Sequence, residues 1–501
     1  MLRELVLNEF KGLNRLTSRL NMPNGYAWDI HNGYVKKDSK TNLGKIKQRS
    51  GIKKLNSVDF TNACKYIYEA KWSAGSTDVI IKEGTRWAKW DGVDSFDDLD
   101  TGRTDGTRGQ AVMFANQIIM ADGGKLRKCT SGYIVSDLST DEAQPTKVSK
   151  IHVHNHKVWC NDDDNPMQAR YLKTDSANAA DSFSASSDAG TLDFSKILPS
   201  GDTLIGFATF AEVFIVFIFK RYAIVYQAGT DPTEFAIRQI IPLNCVSGHA
   251  VKQIGNDLAI CSLEGINSFR SSIANQDLDT DDLSKYIAPL YRELLSDLSD
   301  TTNVSLGFSH SLNHLYVCVP NTNPTILVYS LDVGNFVGRW TGYKCHSICE
   351  RVDGTMLVGG DGYVYVMNSG TNDDGEIINF SYDFPALYAD IFGANKAFKQ
   401  IEALITHDGN PILTVNYAYD NTASKTPLTI PLTSEGVQWD SDDAIWDSAG
   451  WAGSSAERVL NSGMLGRGKA LLLSLSNNVL DATVEIEGVL LRYCKEGIKV
   501  R

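Results

Sequence analysis

The sequence lacks a stretch that could anchor it in a membrane or export it. A membrane-spanning helix needs about 18 or more nearly uncharged apolar residues, whereas the apolar run VFIVFIF (213–219) has only seven and lies between Glu212 and Lys220. The first residues, MLRELVLNEF, carry early charges and lack the apolar segment of a secretory signal. No lipidation motif occurs. We therefore expect a protein that is made in a cytosol and has no membrane span.

Cysteines and positive charges are also few. Nine cysteines are spread singly along the chain without the spacing of a disulfide framework, which predicts reduced and mostly buried thiols. The 48 Lys and Arg residues against 60 Asp and Glu give a net charge of −12. This balance argues against a protein that wraps DNA by neutralising its phosphates. It still allows DNA to pass along the surface, because few cations would hold it.

Apolar residues suited to strands are abundant. Of the 501 residues 43% are hydrophobic, enough for a large core, and the length allows about three average domains or one large β domain with additions. The stretch VFIVFIFKRYAIVY (213–226) consists almost entirely of such residues. Because Val, Ile, Phe and Tyr fit pleated strands, it predicts two buried strands with a tight turn at Lys220 and Arg221, rather than a core helix or a membrane span.

Seven stretches share this pattern of strand, polar turn and strand. Their turns lie at Gly84, Gly124, Asp164, Arg221, Gly265, Asn323 and Asp361. The intervals are 40, 40, 57, 44, 58 and 38 residues, and four of the six lie near the about 40–45 residues of a four-stranded propeller blade. The repeat predicts an all-β chain with a β-propeller of six to eight blades at residues 59–375. A β-sandwich or an irregular all-β stack is the alternative.

The two long intervals contain insertions. Residues 173–200 are rich in Ser, Ala and Asp and predict a polar loop. Residues 277–299 predict a helix, because their apolar side chains fall on one helical stripe and Asp281 and Asp282 favour its N-terminus. The stripe consists of Leu283, Ile287, Leu290, Tyr291, Leu294 and Leu295.

The two ends of the chain differ from the repeat. Residues 1–58 are rich in Gly and Asn and predict an extended N-terminal arm that lies over the surface or closes the ring. Residues 376–501 alternate apolar strands with Asp, Asn and Gly turns, which predicts a β-sandwich-like domain. Within it, Trp439, Trp446 and Trp451 lie among acidic residues. They are candidate interface anchors, or they cap the core of the sandwich.

Motifs for phosphate and calcium binding are incomplete. Residues 463–469 match the pattern GxxxxGK, but Ala470 stands where a Mg²⁺-binding hydroxyl is needed and the following residues read as a strand. Asp277, Asp279 and Asp281 resemble the start of an EF-hand loop, but its required Gly and Glu are replaced. The sequence therefore predicts no nucleotide site.

Three histidines form the remaining candidate for a metal site. His152, His154 and His156 would share one face of a strand, because side chains repeat every second residue. No carboxylate has the matching spacing to complete a ligand set. No arrangement of Ser, His and Asp has local support, so we expect no catalytic residues, no metal and no cofactor.

Both ends of the chain resemble a known family. The start, FKGLNRLTSRLNMPNGYAWDIHNGYV followed by GKIKQRSGIKKL, is similar to the N-terminus of phage tail nozzle proteins, which place a Gly-based arm before a β-propeller. The matching residues are Gly12, Leu13, Asn14, Pro23, Gly25, Ala27, Asn32, Gly44, Arg49 and Gly51. Lys11 departs from the pattern, which usually has a second Gly there. The closing segment GMLGRGKALLLSLSNNVLDATVEIEGVLLRYCKEG and the helical insertion resemble that family too.

The resemblance implies a structural role in a virion. Such proteins form a homohexameric nozzle below the dodecameric head-to-tail adaptor of short-tailed phages, extend the DNA channel, and retain and then release the genome. It implies no enzymatic activity, contacts with tail fibres or a plug or needle protein, and viral DNA that passes without sequence-specific binding. It also implies assembly in the bacterial cytoplasm and a final place in the virion tail.

Two other functions fit the sequence. A propeller that binds or cleaves glycans, as in a phage adsorption protein, would use the acidic loop with the three Trp residues. A monomeric cytosolic propeller scaffold would need no further site.

Overall fold

Strands make up most of the fold. The computed structural model describes residues 2–38, 43–105, 107–139, 144–174, 183, 188–229, 231–269, 282–389, 392–420, 427–432, 457–461 and 465–495. The N-terminal strands are β1 (Leu2–Leu7), β2 (Gly12–Leu13), β3 (Tyr26–Ala27), β4 (Asp29–His31), β5 (Gly33–Lys37), β6 (Gly44–Gln48) and β7 (Ile52–Lys54).

Seven sheets of three or four antiparallel strands follow, each running outward from an inner strand. The strands of the first four are β8 (Cys64–Lys71), β9 (Thr77–Glu83), β10 (Arg86–Trp90) and β11 (Phe96–Asp100); β12 (Gln110–Phe114), β13 (Gln117–Ala121), β14 (Arg127–Cys129) and β15 (Val135–Asp137); β16 (Ile151–His154), β17 (Lys157–Asn161), β18 (Gln168–Tyr171) and β19 (Gly190–Asp193); β20 (Leu204–Phe210), β21 (Phe214–Phe219), β22 (Tyr222–Gln227) and β23 (Ala236–Pro242). The strands of the last three are β24 (Val251–Ile254), β25 (Asp257–Cys261) and β26 (Ile266–Ser268); β27 (Ser305–Ser309), β28 (His314–Val319), β29 (Thr325–Ser330) and β30 (Asn335–Trp340); β31 (Ser347–Glu350), β32 (Met356–Gly359) and β33 (Val364–Met367).

These sheets are the blades of a closed β-propeller. The inner strands of consecutive blades lie against each other, and β31 of the seventh blade lies against β8 of the first. Strand β7 pairs with β33 and becomes the outer strand of the seventh blade, so a segment from the N-terminus closes the ring. The seven predicted strand–turn–strand stretches are the second and third strands of the seven blades.

The apolar stretch at 213–226 forms β21 and β22, as predicted. Alternate side chains of β21 enter two different cores: Phe217 packs with Trp159 of the third blade, whereas Ile218 packs with Leu258 of the fifth. Both faces of a blade are therefore covered by its neighbours. This explains why the stretch is apolar throughout instead of alternating.

The described part of the fifth blade contains three strands and is followed by the helix predicted from the sequence. A one-turn 3-10 helix (Lys285–Ile287) leads into α1 (Ala288–Ser296), which buries Leu290, Tyr291, Leu294 and Leu295. The Tyr291 hydroxyl donates to the carbonyl of Ser262, at 2.7 Å. The helix begins after the predicted capping residues; Asp282 instead accepts from Ser284 N–H, at 2.8 Å, and organises the preceding turn. Two further 3-10 helices are Pro232–Glu234 and Thr301–Asn303.

The C-terminal strands build two further sheet regions. Their strands are β34 (Phe380–Asp383), β35 (Lys396–Asp408), β36 (Ile412–Tyr419), β37 (Leu428–Pro431), β38 (Glu457–Asn461), β39 (Gly466–Gly468), β40 (Leu471–Asn477) and β41 (Thr483–Lys495). One sheet has the order β38–β35–β41–β6–β5, with β1 on β41 and β39 on β35. The other extends the sixth blade outward as β30–β4–β34–β40–β36–β37. Their side chains share one core with the sixth blade and α1.

The N-terminal segment therefore contributes strands to three of the larger sheets, while β2 and β3 pair with each other. β1, β5 and β6 join the first C-terminal sheet, β4 links the sixth blade to the second one, and β7 completes the seventh blade. Residues 190–193, within the stretch predicted as a polar insertion, form the outer strand of the third blade.

The expectation that the cysteines are all reduced is wrong. Cys318 in β28 and Cys345 before β31 form a disulfide with Cα atoms 5.6 Å apart, although 27 residues separate them. The sixth and seventh blades bring them together, which their spacing in the sequence does not reveal. The other seven cysteines are free, and five of those are buried.

Candidate functional site

The axis of the propeller contains a cavity of about 460 Å³. Side chains from the inner strands of all seven blades, and from the turns that precede them, line it. About half of its wall is apolar and the rest is polar; the apolar part comes from Tyr66, Tyr68, Ile151, Phe207, Leu258 and Ile348. A cavity of this size lies within the range of about 300–1,000 Å³ for small-molecule sites.

A cluster of basic side chains, here called the basic mouth, consists of Arg108, Lys150 and His249. Arg108 and His249 line the cavity, and Lys150 lies next to His249. Each lies one or two residues before the inner strand of its blade, which are the second, third and fifth. Arg108 is buried and reaches across the axis. Its Nη1 donates to the carbonyls of Thr302 and Val304, both at 3.0 Å, and its Nη2 donates to the carbonyl of His346.

The other two residues of the basic mouth are close enough to Arg108 for its charge to affect their pKa values. Nζ of Lys150 is 3.5 Å from Nε2 of His249. Burial and the nearby Arg108 charge lower the pKa of Lys150 to about 8. The same causes, together with Lys150, hold the pKa of His249 well below its usual value. Burial lowers the pKa of Arg108 to about 10. The three groups therefore repel each other's charge.

The third blade places one of the three predicted histidines, His152, in the wall of the cavity, and His154 lies in the same strand. His152 Nε2 and His154 Nδ1 lie 2.8 Å and 3.2 Å from the hydroxyl of Thr209 in β20. Burial lowers the pKa of both, that of His152 to about 4. The strand ends at His154, and His156 is exposed in the following turn with φ of 59°. The predicted face of three imidazoles therefore has only two.

Among the described residues, no group of three or more His, Cys, Asp or Glu side chains is close enough to hold a metal ion. The segment that resembles a phosphate loop is a strand where it is described, since β39 pairs with β35. The N–H groups of Lys469 and Ala470 are both taken by Asp420 Oδ1, at 2.8 Å. This part of the segment therefore has no helix N-terminus to receive a phosphate.

The N-terminal motif forms a joint between the seventh blade and the C-terminal sheets. Arg49 is 1% exposed and binds both oxygens of Asp373, with Nη1 2.7 Å from Oδ1. It also donates to Oδ1 of Asn32, at 3.0 Å, and to the carbonyl of Thr341, at 2.9 Å. One buried guanidinium thus ties together the N-terminal segment, the end of the sixth blade and residue 373.

Two glycines of the motif lie where two backbone segments of the chain come into close contact. A Cβ on Gly12, which has φ of 99°, would collide with the carbonyl of Phe336. A Cβ on Gly51 would collide with the carbonyl of Asn372. Leu13 and Ala27 are fully buried between these contacts. The motif therefore encodes close packing at the joint.

A second surface feature is the outer face of the sheet formed by β1, β35 and β41, here called the sandwich face. Val6 lies opposite Leu490, and Leu490 lies opposite Glu402. Val6 and Leu404 are 58% and 40% exposed. Charged groups surround them: Arg492 pairs with Glu4 at 2.9 Å and with Glu402 at 3.4 Å. An apolar centre with a charged rim is typical of protein interfaces.

The Trp residues proposed as interface anchors, Trp439, Trp446 and Trp451, lie outside the described residues, as do Asp277, Asp279 and Asp281. The basic mouth, by contrast, was missed by the sequence analysis. A signal was present, because Arg108, Lys150 and His249 each occupy the same place in the repeat, just before a first strand. The sequence alone does not show that the closed ring brings these three equivalent positions together.

Comparisons with known proteins give distant structural likenesses. No known family profile and no curated protein matches the sequence. The solved structures that resemble it include the extracellular domain of the one-component system BT4673 from B. thetaiotaomicron, at 12% identity and a TM-score of 0.45, over 70% of this chain and 43% of that one. This chain thus spans less than half of that domain.

Two others are covered almost completely. A streptogramin B lyase is 10% identical, with a TM-score of 0.41, over 64% of this chain and 97% of the lyase. The WD40 β-propeller domain of Doa1 is 12% identical, with a TM-score of 0.42, over 63% of this chain and 96% of the domain. Among the described residues, no helix has the length and hydrophobicity needed to cross a membrane.

Proposed function

We propose that this chain is the subunit of a homohexameric tail nozzle of a short-tailed phage. In this role it extends the DNA channel below the dodecameric head-to-tail adaptor, retains the packaged genome and releases it during ejection. It has no enzymatic activity, works in the virion tail after assembly in the host cytoplasm, and contacts tail fibres or a plug or needle protein.

The observation that carries the proposal is the joint built by the N-terminal motif. The residues that match the nozzle family are the ones on which this architecture depends: Arg49 and Asn32 bind each other in the interior, and Gly12 and Gly51 allow backbones to touch. A resemblance in which several of the matching residues have such a structural task is more specific than its short motifs suggest. It supports descent from the same architecture.

Size and charge support a conduit made by several copies rather than by one. The cavity of a single propeller, about 460 Å³, is too small for duplex DNA, whose major groove alone is about 12 Å wide. DNA would therefore pass through an opening between subunits. The net charge of −12 suits such a passage, because each Lys or Arg contact with a phosphate would slow the DNA.

The sandwich face provides a surface for the contact between neighbouring subunits. A six-fold ring uses heterologous contacts in which two different patches meet and close. The exposed Val6 and Leu404, surrounded by charged groups, have the composition of one such patch.

The test is the oligomeric state, measured by mass photometry and negative-stain imaging of the full chain alone and with the adaptor protein encoded beside it. We expect six-fold rings, either alone or dependent on the adaptor. A chain that remains a monomer and does not bind the adaptor would contradict the proposal.

A further inference from the structure

The basic mouth of the propeller is built to hold an anion. We propose that Arg108, Lys150 and His249 bind the oxyanion head group, phosphate or carboxylate, of a small molecule whose uncharged body occupies the propeller cavity. This site is independent of the proposed nozzle function and involves a different part of the molecule from the joint and the sandwich face.

The first argument is uncompensated charge. Burying a cation is costly unless a partner neutralises it. Among the described residues no carboxylate lies within 4.0 Å of the charged nitrogens of the buried Arg108 or the half-buried Lys150, whereas the buried Arg49 and Lys157 each pair with a carboxylate. The described part of the chain thus leaves two positive charges beside the cavity with no carboxylate in direct contact, although Asp163 and Asp300 lie near enough to act on them.

The nearest carboxylates are occupied elsewhere. Asp163 accepts from Ser149 Oγ at 3.0 Å and from Asn161 Nδ2 at 2.6 Å. Asp300 accepts from the N–H and hydroxyl of Thr302, at 2.9 Å and 2.7 Å. Asp361 pairs with Lys344 and His346, both at 2.7 Å. None of them can move to the basic mouth without losing these partners.

The second argument is a preorganised donor. A guanidinium has five N–H donors in a fixed plane, and the carbonyls of Thr302, Val304 and His346 use three of those of Arg108. These contacts fix the plane of the guanidinium at the propeller axis, and within the described part of the chain they leave two of its N–H groups for a ligand. Fixed donors need no rearrangement when an oxyanion binds, which favours affinity.

The third argument is the shape and polarity of the cavity behind the basic mouth. Aromatic and aliphatic side chains form about half of its wall, and the ring centroid of Tyr66 lies 5.8 Å from that of His249. Lys252 and Glu350 lie farther along it and carry opposite charges. A ligand with one anionic end and a largely uncharged body matches this arrangement. A polyanion does not.

The test is isothermal titration of the full-length protein at pH 7 with two probes, inorganic phosphate and acetate, in two buffers of different ionisation enthalpy. We expect at least one probe to bind, with proton uptake, because an anion favours the charged forms of Lys150 and His249. The substitution Lys150→Met should weaken the Kd about tenfold or more. Lys150→Arg, which keeps the charge, should retain most of the affinity.

The matched control is Lys147→Met, three residues away on the same connection. Lys147 is exposed and paired with Asp164 at 2.6 Å, so its loss should leave the Kd unchanged. Binding of neither probe by the wild type, or an equal loss in the Lys147 and Lys150 variants, would overturn the proposal. Circular dichroism and thermal unfolding verify that each variant is folded. Because the readout does not involve ring formation, its failure leaves the nozzle proposal intact.

Discussion

Arg49 is the residue on which the joint depends. Its charge is almost completely removed from solvent and is balanced by Asp373, whose side chain is only 10% exposed. Removing one partner of such a pair leaves a buried charge without compensation, which costs about 3–5 kcal/mol. The residue therefore has a far larger effect on stability than the surface ion pairs of the same region.

We predict that Arg49→Met lowers the free energy of unfolding by about 3–5 kcal/mol in urea titrations. The matched control is Lys54→Met, which breaks the pair with Asp374 at 3.0 Å, where both side chains are more than a third exposed. Surface pairs of this kind contribute about 0–1 kcal/mol. Equal effects of the two substitutions would show that Arg49 does not hold the joint.

His314 makes the stability sensitive to acid. It is buried in β28 between Tyr34 and Tyr316, and burial lowers its pKa to about 4. In the unfolded chain a histidine has a pKa of about 6.5. Between these values the unfolded chain binds a proton that the folded chain does not, so the free energy of unfolding falls by up to about 1.4 kcal/mol per pH unit as pH decreases.

The substitution His314→Phe should remove this loss while keeping the ring contacts. We expect the wild type to lose about 2 kcal/mol more than the variant between pH 6.5 and pH 4.5, measured by urea titration at both values. The other buried histidines, such as His152, contribute equally to both proteins. Parallel losses in the two proteins would mean that His314 is not kept neutral by the fold.

At the level of elements, the strand that closes the ring is short. β7 has three residues and comes from the other end of the chain. The N–H of Leu55 extends its pairing by donating to the carbonyl of Val364, at 2.8 Å. Leu55→Pro removes this donor, whereas Leu55→Ala keeps it and removes only the side chain.

We predict that Leu55→Pro lowers the free energy of unfolding by about 2–3 kcal/mol more than Leu55→Ala does. It should also make residues 1–58 more sensitive to limited proteolysis, because the seventh blade loses its outer strand. Similar stability and cleavage patterns for the two variants would show that this pairing is not needed to close the ring.

Elements with strong local signals could be read from the sequence, and others could not. The hairpin of β21 and β22 is recognisable because both of its faces are buried. The outer strands β11 and β15, FDDLD and VSD, are half exposed and look like loops. β4 has three residues, and its neighbours in the sheet, β30 and β34, lie more than 300 residues away. The basic mouth likewise required the closed ring, since its side chains come from three separate blades.

At the scale of the whole molecule, the propeller and the C-terminal sheets form one structure. A single apolar core extends from α1 through the sixth blade to β35 and β41. The sandwich face is therefore held rigidly relative to the ring of blades. In a nozzle, a displacement of the sandwich face by one neighbouring subunit would therefore also move the ring of blades.

The last prediction concerns assembly. Val6→Glu and Leu404→Glu place a charge in the apolar centre of the sandwich face, where a neighbouring subunit would bury it at high cost. We expect both variants to fold normally and to form at least tenfold fewer six-fold rings, with or without the adaptor, by mass photometry. Val93→Glu is the control, because Val93 is 77% exposed in a propeller turn away from this face. Rings that form equally in all three variants would place the subunit contact elsewhere, and loss of rings only with Val93→Glu would move it to the propeller turns.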